Sequence, residues 1–115
     1  MCNQVSILGS NWDIHESDEI QEPRLVGVDG FCDDSTKEIF VDSLEKIDKS
    51  CAKKNLESHK KKVLRHEITH AFLCESGLAE CSGTSDAWAM NETMVDWIAR
   101  MGEKIYKAWS DAGAI

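Results

Sequence analysis

His66, Glu67 and His70 form an HExxH pattern, and these residue types bind metal ions and move protons. On an α-helix the two histidines lie one above the other on one face, about 6 Å apart. Two imidazoles placed in this way can share one Zn²⁺ at about 2.0–2.1 Å from each ring nitrogen. Glu67 is rotated by about 100° around the helix, where it can act on a water molecule as a general base. The pattern therefore predicts hydrolysis by a metal-activated water.

A hydrolytic zinc site uses three protein ligands and keeps a fourth position for water. The segment 91–96, which reads NETMVD, offers two carboxylates on a second predicted helix. Glu92 lies at the edge of that helix's apolar stripe and can face inward, which makes it a candidate third ligand. Asp96 is one turn further along the same face. From there its carboxylate can accept the free ring N–H of His66 and so fix the orientation of the imidazole.

Together these residues resemble the gluzincin metallopeptidases, the thermolysin-like branch of the zincins, in which HExxH is followed by NExxxD on the next helix. The resemblance implies that His66, His70 and Glu92 bind Zn²⁺, that Glu67 is the general base and that Asp96 supports His66. Residues 63–78 also look like small zincins of bacteriophage and prophage origin, and are similar to the ImmA/IrrE-like peptidases. The resemblance is sharp over 63–101 and only general over the first sixty residues.

The same resemblance implies a protein or peptide substrate that lies extended along an edge strand of the sheet, which we expect at Lys37–Val41 or a neighbouring strand. The chain is much shorter than thermolysin, so residues that stabilise the oxyanion in larger members are not identified. A second class of function is also open. In it the metal is structural, the domain has no hydrolytic activity, and the surface binds a partner. A structural zinc site does not require a general base such as Glu67, so the sequence favours an enzyme over a structural domain.

Other assignments of the metal site stay open. The segment 83–86 resembles the GTxD segment of the aspzincins, which would make Asp86 the third ligand, although a helix cap is the simpler role. Asp96 can replace Glu92 as the third ligand. Cys74 lies one turn beyond the second histidine and can complete a structural site, or be a small buried hydrophobic residue. The simplest alternative is a pair of ordinary helix histidines beside a surface glutamate.

Two helices are predicted to position these residues. From Asn55 to Ser76 there is no glycine or proline, apolar residues recur at helical spacing, and Gly77 suits the end of the helix. Within this helix, His59 is two turns before the histidine pair, where it either overhangs the cleft or has a plain surface or packing role. The second helix is predicted to begin at Asp86 as a cap and to run to about Ser110.

The first half of the chain is predicted to form strands and turns. We expect a short strand over 4–8, a connection or weak helix over 12–22, a strand beginning at 24–28, and a hairpin whose second strand covers 38–41. The fold prediction is thus a single α+β domain over 1–115. It is a minimal zincin in which a small antiparallel sheet precedes an active-site helix and a helix that carries the third ligand.

Composition narrows the partners and the compartment. The formal net charge of −8 argues against nucleic acid as a partner, because phosphate binding requires basic surfaces. No apolar run is long enough to cross a bilayer, so we predict no membrane association. No secretory signal is visible, and the five cysteines are therefore expected to be reduced thiols in the cytoplasm. Substrate specificity and oligomeric state cannot be predicted from these features.

Overall fold

The computed structural model describes residues 2–45, 55–81, 83 and 91–115 of the 115-residue chain. In these residues four strands precede three helices, with a short 3₁₀ helix between the second and third strands. The elements are β1 (Gln4–Ile7), β2 (Ser10–Ser17), the 3₁₀ helix (Pro23–Leu25), β3 (Gly30–Asp33), β4 (Glu38–Asp42), α1 (Leu56–Glu75), α2 (Leu78–Cys81) and α3 (Glu92–Asp111). The predicted α+β class is confirmed.

The strands form one sheet in the order β1-β2-β4-β3. The outer pairs are antiparallel, but β2 and β4 run parallel, with Ile14 opposite Ile39. The sheet is therefore mixed, and the prediction of a wholly antiparallel sheet is wrong. The physical reason is that the chain leaves β2, passes through the 3₁₀ helix and β3, and returns as β4 in the direction of β2. As a result β3, not β4, is the edge strand on this side of the sheet.

Two predictions for the first half of the chain are wrong. Residues 10–17 are a strand rather than a connection or weak helix, because Trp12 and Ile14 alternate with polar neighbours and enter the core. Trp12 is fully buried. Where a strand was expected at 24–28, the chain instead forms the 3₁₀ helix, which begins at Pro23 and buries Leu25. The strand over 4–8 and the hairpin with its second strand near 38–41 are confirmed.

The first long helix, α1, agrees with its prediction at both ends. The side chain of Asn55 accepts a hydrogen bond from the Ser58 backbone N–H and caps the N-terminus. Gly77 follows the helix with φ +83°, a left-handed conformation that glycine adopts without strain. One face of α1 packs on the sheet and forms the core with it and with the end of α3. The fully buried members on α1 are Leu64, Ile68, Ala71 and Phe72.

The last helix, α3, is capped by Asn91, whose side chain accepts a hydrogen bond from the Met94 backbone N–H. The predicted start at Asp86 lies outside the described residues. Trp97 is partly buried against the core, and its indole N–H donates to the Ser76 hydroxyl at 3.2 Å. None of the described helices has the length and apolar character needed to span a membrane.

Candidate active site

The histidine pair lies on the exposed ridge of α1, the face turned away from the sheet. The Nε2 atoms of His66 and His70 are 3.1 Å apart, and the side chain of His66 is 66% exposed. Two nitrogen ligands on a tetrahedral zinc ion are about 3.3 Å apart, given bonds of about 2.0–2.1 Å. Partial burial, with His66 as a neighbour, lowers the pKa of His70 and favours the neutral ring that binds metal. The pair therefore fits two positions around one zinc ion.

Glu67 occupies the side of α1 that faces the sheet edge. Only 8% of its side chain is exposed, and its Oε1 lies 3.9 Å from the Nε2 of His66. Burial raises the pKa of the Glu67 carboxyl, while the neighbouring His66 ring acts in the opposite direction. A buried carboxyl beside the histidine pair, with its pKa raised, is suited to act as a general base.

The edge strand β3 crosses α1 at this glutamate. A Cβ built on Gly30 would lie 2.7 Å from Val63 Cγ1 and 3.4 Å from Glu67 Cγ, so strand and helix approach closely here. The backbone N–H of Asp42 donates to the carbonyl of Asp29 at 2.8 Å. Since bonded and non-bonded pairs alternate along an antiparallel ladder, the backbone polar groups of Gly30 and Cys32 point away from β4. In the described part of the chain no strand pairs with that side of β3.

Cys32 turns its side chain toward α1 and packs against the core. Burial raises the pKa of its thiol to about 12, with further small contributions from the nearby Cys74 and Glu67. Burial also raises the pKa of Cys74. Both thiols are therefore harder to deprotonate than an exposed cysteine, and the thiolate is the form that binds zinc.

A hydrogen bond ties Asp29, the residue before β3, to the first turns of α1. The Nε2 of His59 lies 2.7 Å from Asp29 Oδ2, and only 14% of the histidine side chain is exposed. The Nδ1 of the same ring is buried and has no hydrogen-bond partner among the described atoms. His59 thus overhangs the cleft, as one of its two sequence interpretations predicted, and packs there rather than facing solvent.

Two cavities flank the histidine pair, and His66 lines both. The one toward β3 has a volume of about 220 Å³ and is lined by Asp29, Gly30, His59, Lys62, Val63, His66 and Glu67. The one toward α3 has a volume of about 310 Å³ and is lined by Lys62, Arg65, His66, Thr69, His70, Leu73 and Trp109. A cleft therefore runs across the ridge of α1 on either side of the place where a metal would be held.

The two predicted carboxylates of α3 are not brought to the histidines. Glu92 is exposed in the first turn of α3, and Asp96 pairs with Arg100 at 2.9 Å. Among residues 2–45, 55–81, 83 and 91–115, no group of three His, Cys, Asp or Glu side chains converges to hold a metal. The roles of Glu92 and Asp96 therefore stay predictions, and Asp86 lies outside the described residues.

Several cleft residues were not singled out from the sequence. Asp29 and Gly30 line the cleft, as does Trp109, which also packs against the core. The indole N–H of Trp109 donates to the Arg65 carbonyl at 3.2 Å, which holds the ring beside the ridge. Helical spacing could have identified Lys62, because it lies four residues before His66 and therefore on the same face of the helix.

Comparison with protein families gives one finding. The family model described as "Peptidase of plants and bacteria" matches residues 23–114, a range that contains β3, β4, all three helices and every residue of the cleft. Comparison with curated proteins and with solved structures gives no significant match.

Proposed function

The chain belongs to the family of peptidases of plants and bacteria, and we propose that it is a zinc-dependent metallopeptidase of the gluzincin type. The observation that carries this proposal is the geometry of three side chains on α1. The two imidazole Nε2 atoms of His66 and His70 lie 3.1 Å apart, and the buried carboxyl of Glu67 lies 3.9 Å from the first of them. An HExxH hydrolase requires this arrangement of two ligands and an adjacent base.

In this proposal His66, His70 and Glu92 hold Zn²⁺, and Asp96 accepts the free ring N–H of His66. The neutral imidazole is a preferred zinc ligand, and the lowered pKa of His70 supports that role. Glu92 can reach the pair if the first turn of α3 lies closer to α1 in the metal-bound protein. A zinc ion at this position supplies a water of lowered pKa and polarises the carbonyl of the scissile bond.

The protein side chains perform the remaining steps. Glu67 takes a proton from the attacking water and delivers it to the leaving amine, a role for which its raised pKa is suited. Gly30 and Cys32, whose backbone polar groups face outward at the edge of β3, hold the substrate as an extended strand. Because β3 crosses α1 at Glu67, a peptide added to this edge passes over the histidine pair. The peptide-binding edge is thus assigned to β3, beside the strand first considered for it.

Glu67→Gln tests the proposal. We expect the purified wild-type protein to bind about one zinc ion and to cleave a peptide mixture, measured by mass spectrometry of the new termini. The variant should keep its zinc and lose at least 10²-fold in rate, because the amide cannot accept the proton. Glu103→Gln is the matched control, since it makes the same change at an exposed acid of α3 and should leave the rate unchanged.

Two results would contradict the proposal. Undiminished hydrolysis by Glu67→Gln would remove the general base. Zinc bound by four protein ligands, with no hydrolysis by the wild type, would instead support the structural zinc domain that the sequence left as the alternative. A cytoplasmic location and a phage or prophage origin are further predictions that neither outcome affects.

A further inference from the structure

The larger of the two cavities beside the histidine pair is basic, whereas the chain as a whole is acidic. The formal net charge is −8, yet among the described residues the charged side chains that line this cavity besides the histidines are Lys62 and Arg65, with no acid beside them. The remaining wall is made by Thr69, Leu73 and Trp109. A metal ion on the histidines would add further positive charge at its mouth.

Both cations have donors available for a ligand. Lys62 is exposed and forms no ion pair with any acid of the described segments. The guanidinium of Arg65 donates from one nitrogen to the Ala114 carbonyl at 2.8 Å. A guanidinium has five N–H donors, so this single bond fixes its position and leaves others for recognition. The hydrogen bond from Trp109 to the Arg65 carbonyl holds the same residue from the backbone side.

We propose that this cavity is a substrate subsite that selects an acidic side chain, so that the enzyme acts on peptides with Asp or Glu next to the scissile bond. The inference rests on the proposed peptidase function and names its substrate class. The volume of about 310 Å³ equals about ten water molecules at about 30 Å³ each, which accommodates one carboxylate side chain with some solvent. Arg and Lys donors give charge-assisted hydrogen bonds to a carboxylate.

The cavity toward β3 does not share this character. Asp29 and Glu67 line it together with Lys62 and His59, so its two carboxyls offset the charge of the single lysine. The selection for an acid therefore applies on the α3 side of the histidine pair alone. A substrate that crosses the cleft has one charge-selective position and one that is not selective for charge.

Peptide capture tests the inference independently of turnover. Zinc-loaded Glu67→Gln is immobilised and exposed to a synthetic library randomised around a central bond, and the bound peptides are identified by mass spectrometry. In parallel, the wild type cleaves the same library. We expect Asp and Glu to be enriched about twofold to fivefold at one position next to the bond, in keeping with partly exposed ion pairs.

Lys62→Glu in both backgrounds should abolish or reverse this enrichment. Lys61→Glu is the matched control, because it changes the net charge equally at an adjacent exposed residue that does not line the cavity. Captured and cleaved peptides without acid enrichment, or an enrichment that survives Lys62→Glu, would overturn the inference and leave the peptidase proposal intact. Acid-enriched capture without any cleavage by the wild type would support the subsite and overturn the proposed activity. No capture and no cleavage would overturn both.

Discussion

Replacing Gly30 by alanine should force β3 away from α1. An added Cβ would lie 2.7 Å from Val63 Cγ1, 2.9 Å from the carbonyl oxygen of Phe40 and 3.4 Å from Glu67 Cγ. The contact with Val63 involves a side chain, which can give way by a small shift. The contact with Phe40 involves the backbone of the neighbouring strand, which cannot turn aside without distorting the sheet.

The magnitude follows from these two contacts. Overpacking of this kind costs about 1–3 kcal/mol of folding free energy. Val63→Ala in the same chain removes the first contact and leaves the second, so the double variant should be more stable than the sum of the two single changes predicts. We expect a coupling energy of about 0.5–1.5 kcal/mol between Gly30 and Val63.

Urea denaturation at 25 °C measures these free energies of unfolding. Gly102→Ala is the control, because Gly102 lies within α3 with no atom within 4 Å of the added methyl group. That change should raise stability by about 0.5–1 kcal/mol, since alanine favours helix over glycine. Gly30→Ala should lower it, and the opposite signs separate crowding at β3 from a general effect of alanine.

The same displacement has a functional consequence. Moving β3 away from α1 shifts the proposed peptide-binding edge away from Glu67, and misplacement by about 1 Å can reduce rates about 10²-fold. If Gly30→Ala proves as stable as the wild type and shows no coupling to Val63, the strand does not approach the helix as described. The argument that β3 holds a substrate over the histidine pair would then fail.

Two further predictions concern the metal and the pH dependence of stability. Glu92→Ala should weaken zinc binding by at least about 10²-fold, measured by competition with a chromophoric chelator. Glu103→Ala serves as the control, and equal zinc affinities of the two variants would reassign the third ligand. The Lys37 ammonium, through its hydrogen bond, holds the pKa of the Glu75 carboxyl below its usual range. This pair therefore stabilises the folded protein above about pH 4.3, and its contribution is lost as pH falls through the lowered pKa. Glu75→Gln keeps an acceptor for Trp12 but loses this charge. The variant should be less stable than the wild type by about 0.5–1 kcal/mol at pH 7, and this difference should disappear in acid. A constant difference across urea titrations from pH 7 to pH 3 would contradict this prediction.

The two long helices could be predicted because their signals are local and repeated. Over α1 the apolar spacing persists for about five turns, Asn55 supplies a cap and Gly77 a left-handed end, so several signals agree. The strand β2 was missed because only Trp12 and Ile14 mark its buried face among polar neighbours. The parallel pairing of β2 with β4 has no local signal, since it joins residues more than twenty positions apart.

The site divides in the same way. His66, Glu67 and His70 are fixed relative to one another by helical geometry alone, so their spacing in the sequence was enough to predict their mutual arrangement. The position of β3 over Glu67 and the basic cavity toward α3 depend on how separate elements pack. No pattern of residue types in the sequence encodes the distances between those elements. The orientation of Glu92 relative to the histidine pair depends on how α3 packs against α1, so helical periodicity within α3 cannot determine it.

The polar contacts at the two ends of α1 explain how a chain of 115 residues can hold in place the helix that carries the histidine pair. Near its start, His59 pairs with Asp29 before β3. At its end, Glu75 accepts from the indole N–H of the fully buried Trp12 at 2.9 Å and pairs with Lys37 before β4. A small core alone leaves little surplus stability, and a helix packed only by apolar contacts can slide on a sheet. Directional bonds at both ends fix α1 in register with β3 and β4, and this register is what places Glu67 under the edge strand.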